Sequence, residues 1–337
     1  MRRLALLPLL ALALVQPASA AKPAQSWAQP EIELVTSHGL MGGNAATFRP
    51  NDPLTQGALA QLIVALTEQP LVASAAPAAP VTIAQLDARL VGALGLSQTA
   101  SSFAGPVRAA GLKPPSRFGT EVVARLLGLR TNHPAPQDAL ELEPNDPATR
   151  AEAAFSAARI LQFSGSEQQF VTDAAAAFTL PALTAWQQQV LRTAVSFIGF
   201  PYVWGGESET TTSPFGPQAQ GGFDCSGFVW RVYKLQPYAG APQLAETLRG
   251  RTTTQMSGEV PKAQRIGAAK LQPGDVLFFG SRGLKSKPGQ IDHMGISLAN
   301  GWLIHSSGYG VALAPLDGWY AKRFAWARRP LAEAHLA

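Results

Sequence analysis

The 337-residue chain contains a single cysteine, Cys225, and its setting suits a nucleophile. Asp224 and Ser226 flank it, and the apolar pattern that follows has helical spacing, so we expect Cys225 to open a helix. A thiol at a helix N-terminus faces unpaired backbone N–H groups and the positive end of the dipole, which favour the thiolate and should lower the pKa of the thiol. The alternative for a lone cysteine is a buried structural residue.

A thiolate that attacks a carbonyl carbon needs a base for its proton, and that base needs a third group to fix its tautomer. Among the five histidines, His293 and His305 follow Cys225 within the same predicted domain. Asn300-Gly301 lies between them and predicts a tight hairpin, so antiparallel pairing should bring the two imidazoles together. A metal site is the alternative, but Asp292 alone could add a ligand at suitable spacing. We therefore expect thiol chemistry with no metal and no cofactor.

Short apolar runs separated by turns follow the predicted cysteine helix. They predict four strands of an antiparallel sheet, over residues 276–279, 294–298, 302–305 and 324–327. An amphipathic helix that begins after Thr184 precedes the cysteine. Because helices come first and the sheet afterwards, residues 184–330 are predicted to form an α+β domain.

The first half of the chain contains an internal repeat. Pro-Asn-Asp-Pro-x-Thr occurs at residues 50–55 and again at 144–149, each time before an apolar helix that the threonine can cap. Further helices are predicted over 81–96 and 103–129. Residues 28–165 are therefore predicted to be an all-α repeat domain, and residues 166–183, rich in Ser, Gly, Gln and Ala, a linker.

The first twenty residues have the features of a secretory signal peptide. Arg2 and Arg3 precede an apolar run over residues 4–15, and small residues end at Ala20. No later stretch approaches the ~20 apolar residues that a membrane helix requires. We expect an exported protein, secreted or held in the cell wall, with no membrane span.

The net charge is +5, and the excess of basic residues lies in the second half. A basic surface can attract nucleic acid, but an exported protein meets anionic cell-wall polymers first. No nucleic-acid partner is expected.

The second half resembles the NlpC-type cysteine peptidases, a papain-like family that cuts bacterial cell-wall peptides. The likeness covers about residues 184–330 and depends on five motifs in the family's order. These are Pro201-Tyr202-Val203-Trp204-Gly205-Gly206, Asp224-Cys225-Ser226-Gly227, Leu271-Gln272-Pro273-Gly274-Asp275-Val276, Asp292-His293-Met294-Gly295-Ile296 and Ile304-His305.

The resemblance implies a papain-like catalytic domain and a role for each of three residues. Cys225 would be the nucleophile, His293 the general base and His305 the polar group that orients the base. The implied reaction is hydrolysis of the bond between D-γ-glutamate and the diamino acid in the peptidoglycan stem peptide. Deamidation, amide hydrolysis at the sugar end and acyl transfer stay open, as does a wall-binding protein whose second half is catalytically weak.

The resemblance also implies substrate contacts. Tyr202 would line the site, and Asp224 and Ser226 would contact amine and amide groups of the substrate. The loop over residues 207–221 is longer than the family norm, which leaves the range of accepted peptides open.

The first half resembles an S-layer homology array, whose helical repeats begin Thr-Arg-Ala-Glu, as residues 149–152 do. This resemblance implies that residues 28–165 attach the enzyme to an anionic secondary cell-wall polymer. We expect the repeats to concentrate the enzyme on the wall and not to shape its cleft. The copy at 55–58 departs from the motif and a middle copy is hard to align. A helical spacer with no ligand is therefore the alternative.

Overall fold

The structure is a computed structural model that describes residues 25–67, 70–133 and 140–336. The predicted signal peptide, residues 1–20, lies outside these ranges. Within them, no helix combines the length and apolar character needed to cross a membrane.

The repeat region is built from α-helices. Their bounds are α1 (Gln29–Ser37), α2 (Gln56–Thr67), α3 (Ile83–Ala93), α4 (Ser97–Ala109), α5 (Phe118–Leu126) and α6 (Arg150–Leu161).

Three short extended segments meet in a ring of backbone hydrogen bonds at the centre of this unit. The N–H of Leu54 donates to the carbonyl of Ala148 at 2.7 Å, Ala148 to Val81 at 2.7 Å, and Val81 to Leu54 at 2.9 Å. The residue after each ring member is a threonine whose hydroxyl caps the next helix, namely Thr55, Thr82 and Thr149. The repeat therefore has three copies.

The middle copy, which the sequence made hard to align, lies at Pro80-Val81-Thr82. It keeps a proline three residues earlier, at Pro77, but has alanines in place of the Asn-Asp pair. The backbone ring uses neither side chain of that pair, so the copy folds alike without them.

The second domain is α+β, as predicted. Its helices are α8 (Ala185–Ser196), α9 (Cys225–Trp230), α10 (Thr253–Gly258), α11 (Gly318–Arg323) and α12 (Pro330–Glu333). Short strands β1 (Glu207–Ser208), β2 (Thr212–Ser213), β3 (Gly216–Pro217) and β4 (Gly222–Phe223) form two antiparallel pairs before α9.

The main sheet has five antiparallel strands in the order β8-β7-β6-β5-β9. They are β5 (Val276–Gly280), β6 (Ile291–Ala299), β7 (Trp302–Ser307), β8 (Gly310–Pro315) and β9 (Phe324–Arg328). The sequence predicted four of these and missed β8, whose alanines have low strand propensity. The predicted hairpin is confirmed, with Ala299, Asn300 and Gly301 at positive φ between β6 and β7.

The segment over residues 166–183, which the sequence predicts to be a linker, is mostly helical and packed into the fold. A helix, α7 (Ser166–Ala177), occupies most of it and packs against α4. Phe178, just after α7, lies between Phe103 of α4 and Trp302 of β7, with ring centroids 5.6 and 5.1 Å away. One hydrophobic core therefore runs from the repeat helices through this segment into the sheet.

Candidate active site

Cys225 is the first residue of α9, as the sequence predicted. Asp224 is the N-cap, and its carboxylate accepts the Gly227 N–H at 2.5 Å. A side chain at Gly227 would have its Cβ 1.8 Å from the carbonyl oxygen of Gly206, so the helix start packs directly on the Gly205-Gly206 turn. The thiol is therefore held between this turn and the sheet, with Cys225 only 9% exposed.

The structure confirms that the two predicted histidines lie together. His293 Nε2 and His305 Nδ1 are 3.1 Å apart, and both residues are buried. Ser306, next to His305, donates to the carbonyl of Phe223 at 2.6 Å and so ties β7 to the chain that enters α9. Because His305 bonds the Nε2 atom of His293, the Nδ1 atom of His293 is the ring nitrogen left for another partner.

Burial opposes ionisation of the Cys225 thiol. It raises the pKa of Cys225 to about 12, and the negative charge of Asp224 adds to the effect. Backbone N–H groups of Met294, Ser226 and Cys225 itself act in the opposite direction, but they do not outweigh burial. The expected lowering of the thiol pKa by the helix N-terminus is therefore wrong, because burial raises the pKa of Cys225 by more than the N–H groups lower it.

Burial also keeps both imidazoles neutral. It lowers the pKa of His293 to about 4, with a smaller opposing effect from Asp292 and a reinforcing one from Arg323. The pKa of His305 lies well below its ordinary value because of burial and of repulsion from a protonated His293. Burial therefore favours a protonated thiol at Cys225 and neutral imidazoles at His293 and His305. Moving one proton from the thiol to an imidazole would leave the net charge of such a buried pair unchanged.

A cleft of about 420 Å³ opens beside Cys225, and the three predicted substrate-contact residues line it: Tyr202, Asp224 and Ser226. The carboxylate of Asp224 already accepts bonds from Gly227, Ser226, Gly205 and Arg251. Ser226 donates to Asp224 at 2.8 Å and accepts from Arg251 at 2.7 Å. Within the described residues, the Tyr202 hydroxyl has no such internal bond, which leaves it the most available of the three.

Arg251 is a site residue that sequence reasoning missed. Its guanidinium donates to Glu207 at 2.6 Å, to Asp224, to Ser226 and to the carbonyls of Gly205 and Gly206. These partners use its whole donor set, so Arg251 braces the cleft wall rather than offering a free charge. Its partners lie 25 to 46 residues away in sequence, and no local pattern marks them.

The long loop over residues 207–221 forms the outer wall of the cleft. Its hairpin of β2 and β3 presents Phe215, which is 69% exposed and lines the cleft together with Trp204, which is 88% exposed. Glu209 fixes the loop through a bidentate salt bridge with Arg231, whose two N–H···O distances are 2.7 and 2.9 Å.

No metal-binding arrangement of three or more His, Cys, Asp or Glu side chains is found in the ranges that the structure describes. His293 and His305 instead face each other edge to face, with ring centroids 5.0 Å apart. The bond between their nitrogens fits a proton relay.

Comparison with known proteins gives two family matches. Residues 199–329 match the NlpC/P60 family, and residues 21–60 match the S-layer homology domain.

Three relatives illustrate the likeness of the second half. The probable peptidoglycan endopeptidase LytE of Bacillus subtilis is 36% identical over 137 residues, which are 40% of this chain and 32% of LytE. The gamma-D-glutamyl-L-lysine dipeptidyl-peptidase of Bacillus subtilis is 28% identical over 150 residues, 43% of this chain and 42% of the relative. The murein DD-endopeptidase MepH of Escherichia coli is 32% identical over 135 residues, 39% and 41% of the two chains. Each match thus spans less than half of the relative's length.

Proposed function

Because the chain carries an NlpC/P60 domain behind an S-layer homology segment, we propose that it is an exported cysteine peptidase that hydrolyses peptidoglycan stem peptides. The observation that carries the proposal is that Cys225 begins α9 in the domain whose sheet holds His293 and His305, with His293 Nε2 and His305 Nδ1 3.1 Å apart. A buried thiol, a neutral base and a group that orients the base are what acyl transfer requires.

We propose the following steps for the reaction. His293 Nδ1 takes the thiol proton as the Cys225 sulfur attacks the carbonyl carbon of the scissile amide. The tetrahedral intermediate collapses when the leaving amine takes that proton from His293, and a thioester remains on Cys225. Water, activated by His293, then hydrolyses the thioester and releases the acid. Because burial disfavours each separate charge, we expect proton transfer and sulfur attack to occur together.

The bond we propose is the one between D-γ-glutamate and the diamino acid. The dipeptidyl-peptidase relative is named for a γ-D-glutamyl bond, which supports this choice. MepH is named as a DD-endopeptidase, so a bond between two D-residues is the competing choice of scissile bond. We place the γ-glutamyl side of the peptide in the cleft of Tyr202 and Phe215, where the Tyr202 hydroxyl is free to donate to it. Burial raises the pKa of Tyr202 to about 12, with smaller effects from Cys225 when it is a thiolate and from the Asp224 carboxylate, so Tyr202 stays protonated.

Mass spectrometry of digested muropeptides tests the function and the bond together. Wild-type protein should release products that end in γ-D-glutamate, and Cys225→Ala should release none while it keeps the wild-type thermal unfolding. His305→Ala should lower kcat with less effect on KM, because His305 touches the base and not the peptide. Products cut between two D-residues would replace the proposed bond, and wild-type turnover by Cys225→Ala would refute the nucleophile.

We also propose that the repeat unit holds the enzyme on the wall through an anionic secondary polymer. A cleft of about 220 Å³ lies between α2 and the start of α6, with Arg150 and Gln61 in its lining. Arg150 belongs to the best-preserved Thr-Arg-Ala-Glu start. Binding at this cleft would raise the local concentration of stem peptide at the catalytic domain.

A further inference from the structure

A tyrosine that the sequence did not single out extends the proposed catalytic relay. The hydroxyl of Tyr320, on α11, lies 3.0 Å from His305 Nε2. His305 therefore contacts His293 on one side and Tyr320 on the other, and the order of the proposed relay is Cys225, His293, His305 and Tyr320. The inference below rests on the proposed roles of the first three.

The tautomer of His293 determines the tautomer of His305, because the two rings share a hydrogen bond. For His293 Nδ1 to accept the thiol proton, the proton of neutral His293 must sit on Nε2 and point at His305 Nδ1. His305 Nδ1 must then carry a lone pair, so the proton of neutral His305 must sit on Nε2. That N–H faces Tyr320, and in the described residues no other polar partner lies within bonding distance of it.

We propose that the phenolic oxygen of Tyr320 accepts the Nε2–H of His305 and thereby sets the tautomer of both histidines. Tyr320 is thus a positioning residue, two side chains away from the thiol. If its hydroxyl donated to His305 instead, the His305 proton would move to Nδ1. His293 would then carry its proton on Nδ1, with no lone pair for Cys225.

The surroundings of Tyr320 allow the accepting role. The ring packs against Phe279 and His305, with centroids 5.6 and 5.0 Å away, so the oxygen is held in place. Tyr320 also lines a second cleft of about 320 Å³, behind the relay, together with Tyr309. Its own O–H can donate to water there while the oxygen accepts from His305.

The helix that carries Tyr320 is fixed to the strand that carries His293. Arg323 of α11 pairs with Asp292, the neighbour of His293 in β6. The same guanidinium stacks on Trp319, whose ring lies 6.0 Å from that of His293. The position of Tyr320 is therefore tied to the base as well as to His305.

Tyr320→Phe and Tyr309→Phe make a matched pair for the test. Each removes one hydroxyl from a tyrosine that lines the second cleft, but the Tyr309 side chain is 53% exposed and makes no hydrogen bond in the described structure. Nitrogen-15 spectra of histidine-labelled Cys225→Ala protein report which ring nitrogens carry protons. We expect Nε2–H for both histidines in the parent and a shift of His305 towards Nδ1–H only with Tyr320→Phe.

The rate at which iodoacetamide alkylates Cys225 gives a second, substrate-free readout. Loss of the acceptor leaves a buried N–H unpaired, so Tyr320→Phe should slow alkylation and kcat by roughly tenfold to a hundredfold, with KM little changed. Tyr309→Phe should match wild type in both. An unchanged His305 tautomer together with wild-type alkylation in Tyr320→Phe would overturn the inference. Neither measurement uses peptidoglycan, so this outcome is separable from a wrong choice of substrate.

Discussion

Arg125 of the repeat unit donates from Nη2 to the carbonyl oxygen of Gly199 in the catalytic domain at 2.7 Å. Its Nη1 donates to the carbonyl of Tyr309. Gly199 precedes the cleft residue Tyr202 by three positions, and Tyr309 follows His305 by four. One buried guanidinium therefore bonds both of these chain segments next to the site. The repeat unit thus helps to fix the structure of the catalytic domain.

Arg125→Met should lower the free energy of unfolding by about 3–5 kcal/mol, because it leaves buried charge without its partner. Glu121 and Glu141 lie 3.3 and 3.1 Å from the guanidinium and are buried with it. Denaturant unfolding followed by tryptophan fluorescence measures the change. Arg108→Met, at an exposed position of α4, is the control and should shift stability by less than about 0.5 kcal/mol.

The shape of the same unfolding curve tests whether the two domains are coupled. The shared core and the Arg125 bonds predict one transition for the full chain and a poorly stable protein when residues 28–165 are deleted. Two separate transitions, with only one moved by Arg125→Met, would contradict the coupling. Two such transitions would mean that the repeat unit and the catalytic domain fold independently and are joined only by a linker.

Local patterns in the sequence were sufficient to predict where Cys225, His293 and His305 lie in the fold. A helix signal places the thiol at a helix start, and the Asn300-Gly301 turn fixes which histidines meet. Tyr320 could not be found in this way, because the α11 pattern carries no sign that its helix folds back onto β7. The contact is fixed by tertiary packing around Phe279.

Tertiary packing also explains two features that the sequence did not show, namely the raised pKa of Cys225 and the packing of residues 166–183 into the core. The helix N-terminus does direct N–H groups at the thiol of Cys225, but the sequence could not show how deeply the sheet buries it. Residues 166–183 have a linker-like composition, yet Val171 and Phe178 are buried against the repeat helices and Trp302. A few apolar residues in a polar segment were enough to make it part of the core.

The rate of cleavage against pH should stay high far into the acid range. His293 must be neutral to accept the thiol proton, and burial lowers its pKa to about 4. kcat/KM should therefore fall only as the pH drops towards 4, with the acid limb belonging to the Cys225–His293 pair. An acid limb near the ordinary histidine value, about 6.5, would contradict this account.

Two neighbouring charges should move that acid limb in opposite directions. Asp292 raises the pKa of His293 and Arg323 lowers it. Asp292→Asn should therefore shift the limb to lower pH, and Arg323→Gln to higher pH. Steady-state kcat/KM profiles of both variants measure the shifts, and movement in the same direction would show that Asp292 and Arg323 act through structure instead of charge.

The long loop should set how tightly peptides bind. Phe215→Ala removes an exposed ring from the cleft wall, and partial burial of such a ring by substrate contributes about 1–2 kcal/mol. KM for stem peptides should rise about five- to thirtyfold with kcat nearly unchanged, as for binding shared by ground and transition states. Phe170→Ala, at an exposed position on α7, is the matched control. A large fall in kcat with unchanged KM would place Phe215 in the catalytic step.

The repeat cleft should bind an anion, and Gln61→Glu tests this better than removal of Arg150. Arg150 donates to the carbonyls of Phe48 and Met41 at 2.9 and 3.1 Å and stacks on the Phe48 ring, so Arg150→Ala would also loosen the unit. Gln61 is exposed at the mouth of the same cleft, and within the described residues its side chain makes no hydrogen bond.

A carboxylate at position 61 should repel an anionic polymer while the helix stays intact. We expect Gln61→Glu to weaken binding to intact sacculi about three- to tenfold at low salt and less at high salt, because exposed charges are screened. Gln98→Glu adds the same charge at an exposed site on α4 and should bind as wild type. Cleavage of a soluble muropeptide should not change in either variant. Equal sacculus binding by both variants, or binding that survives removal of the secondary polymer from the sacculi, would leave the repeats as a support for the catalytic domain alone.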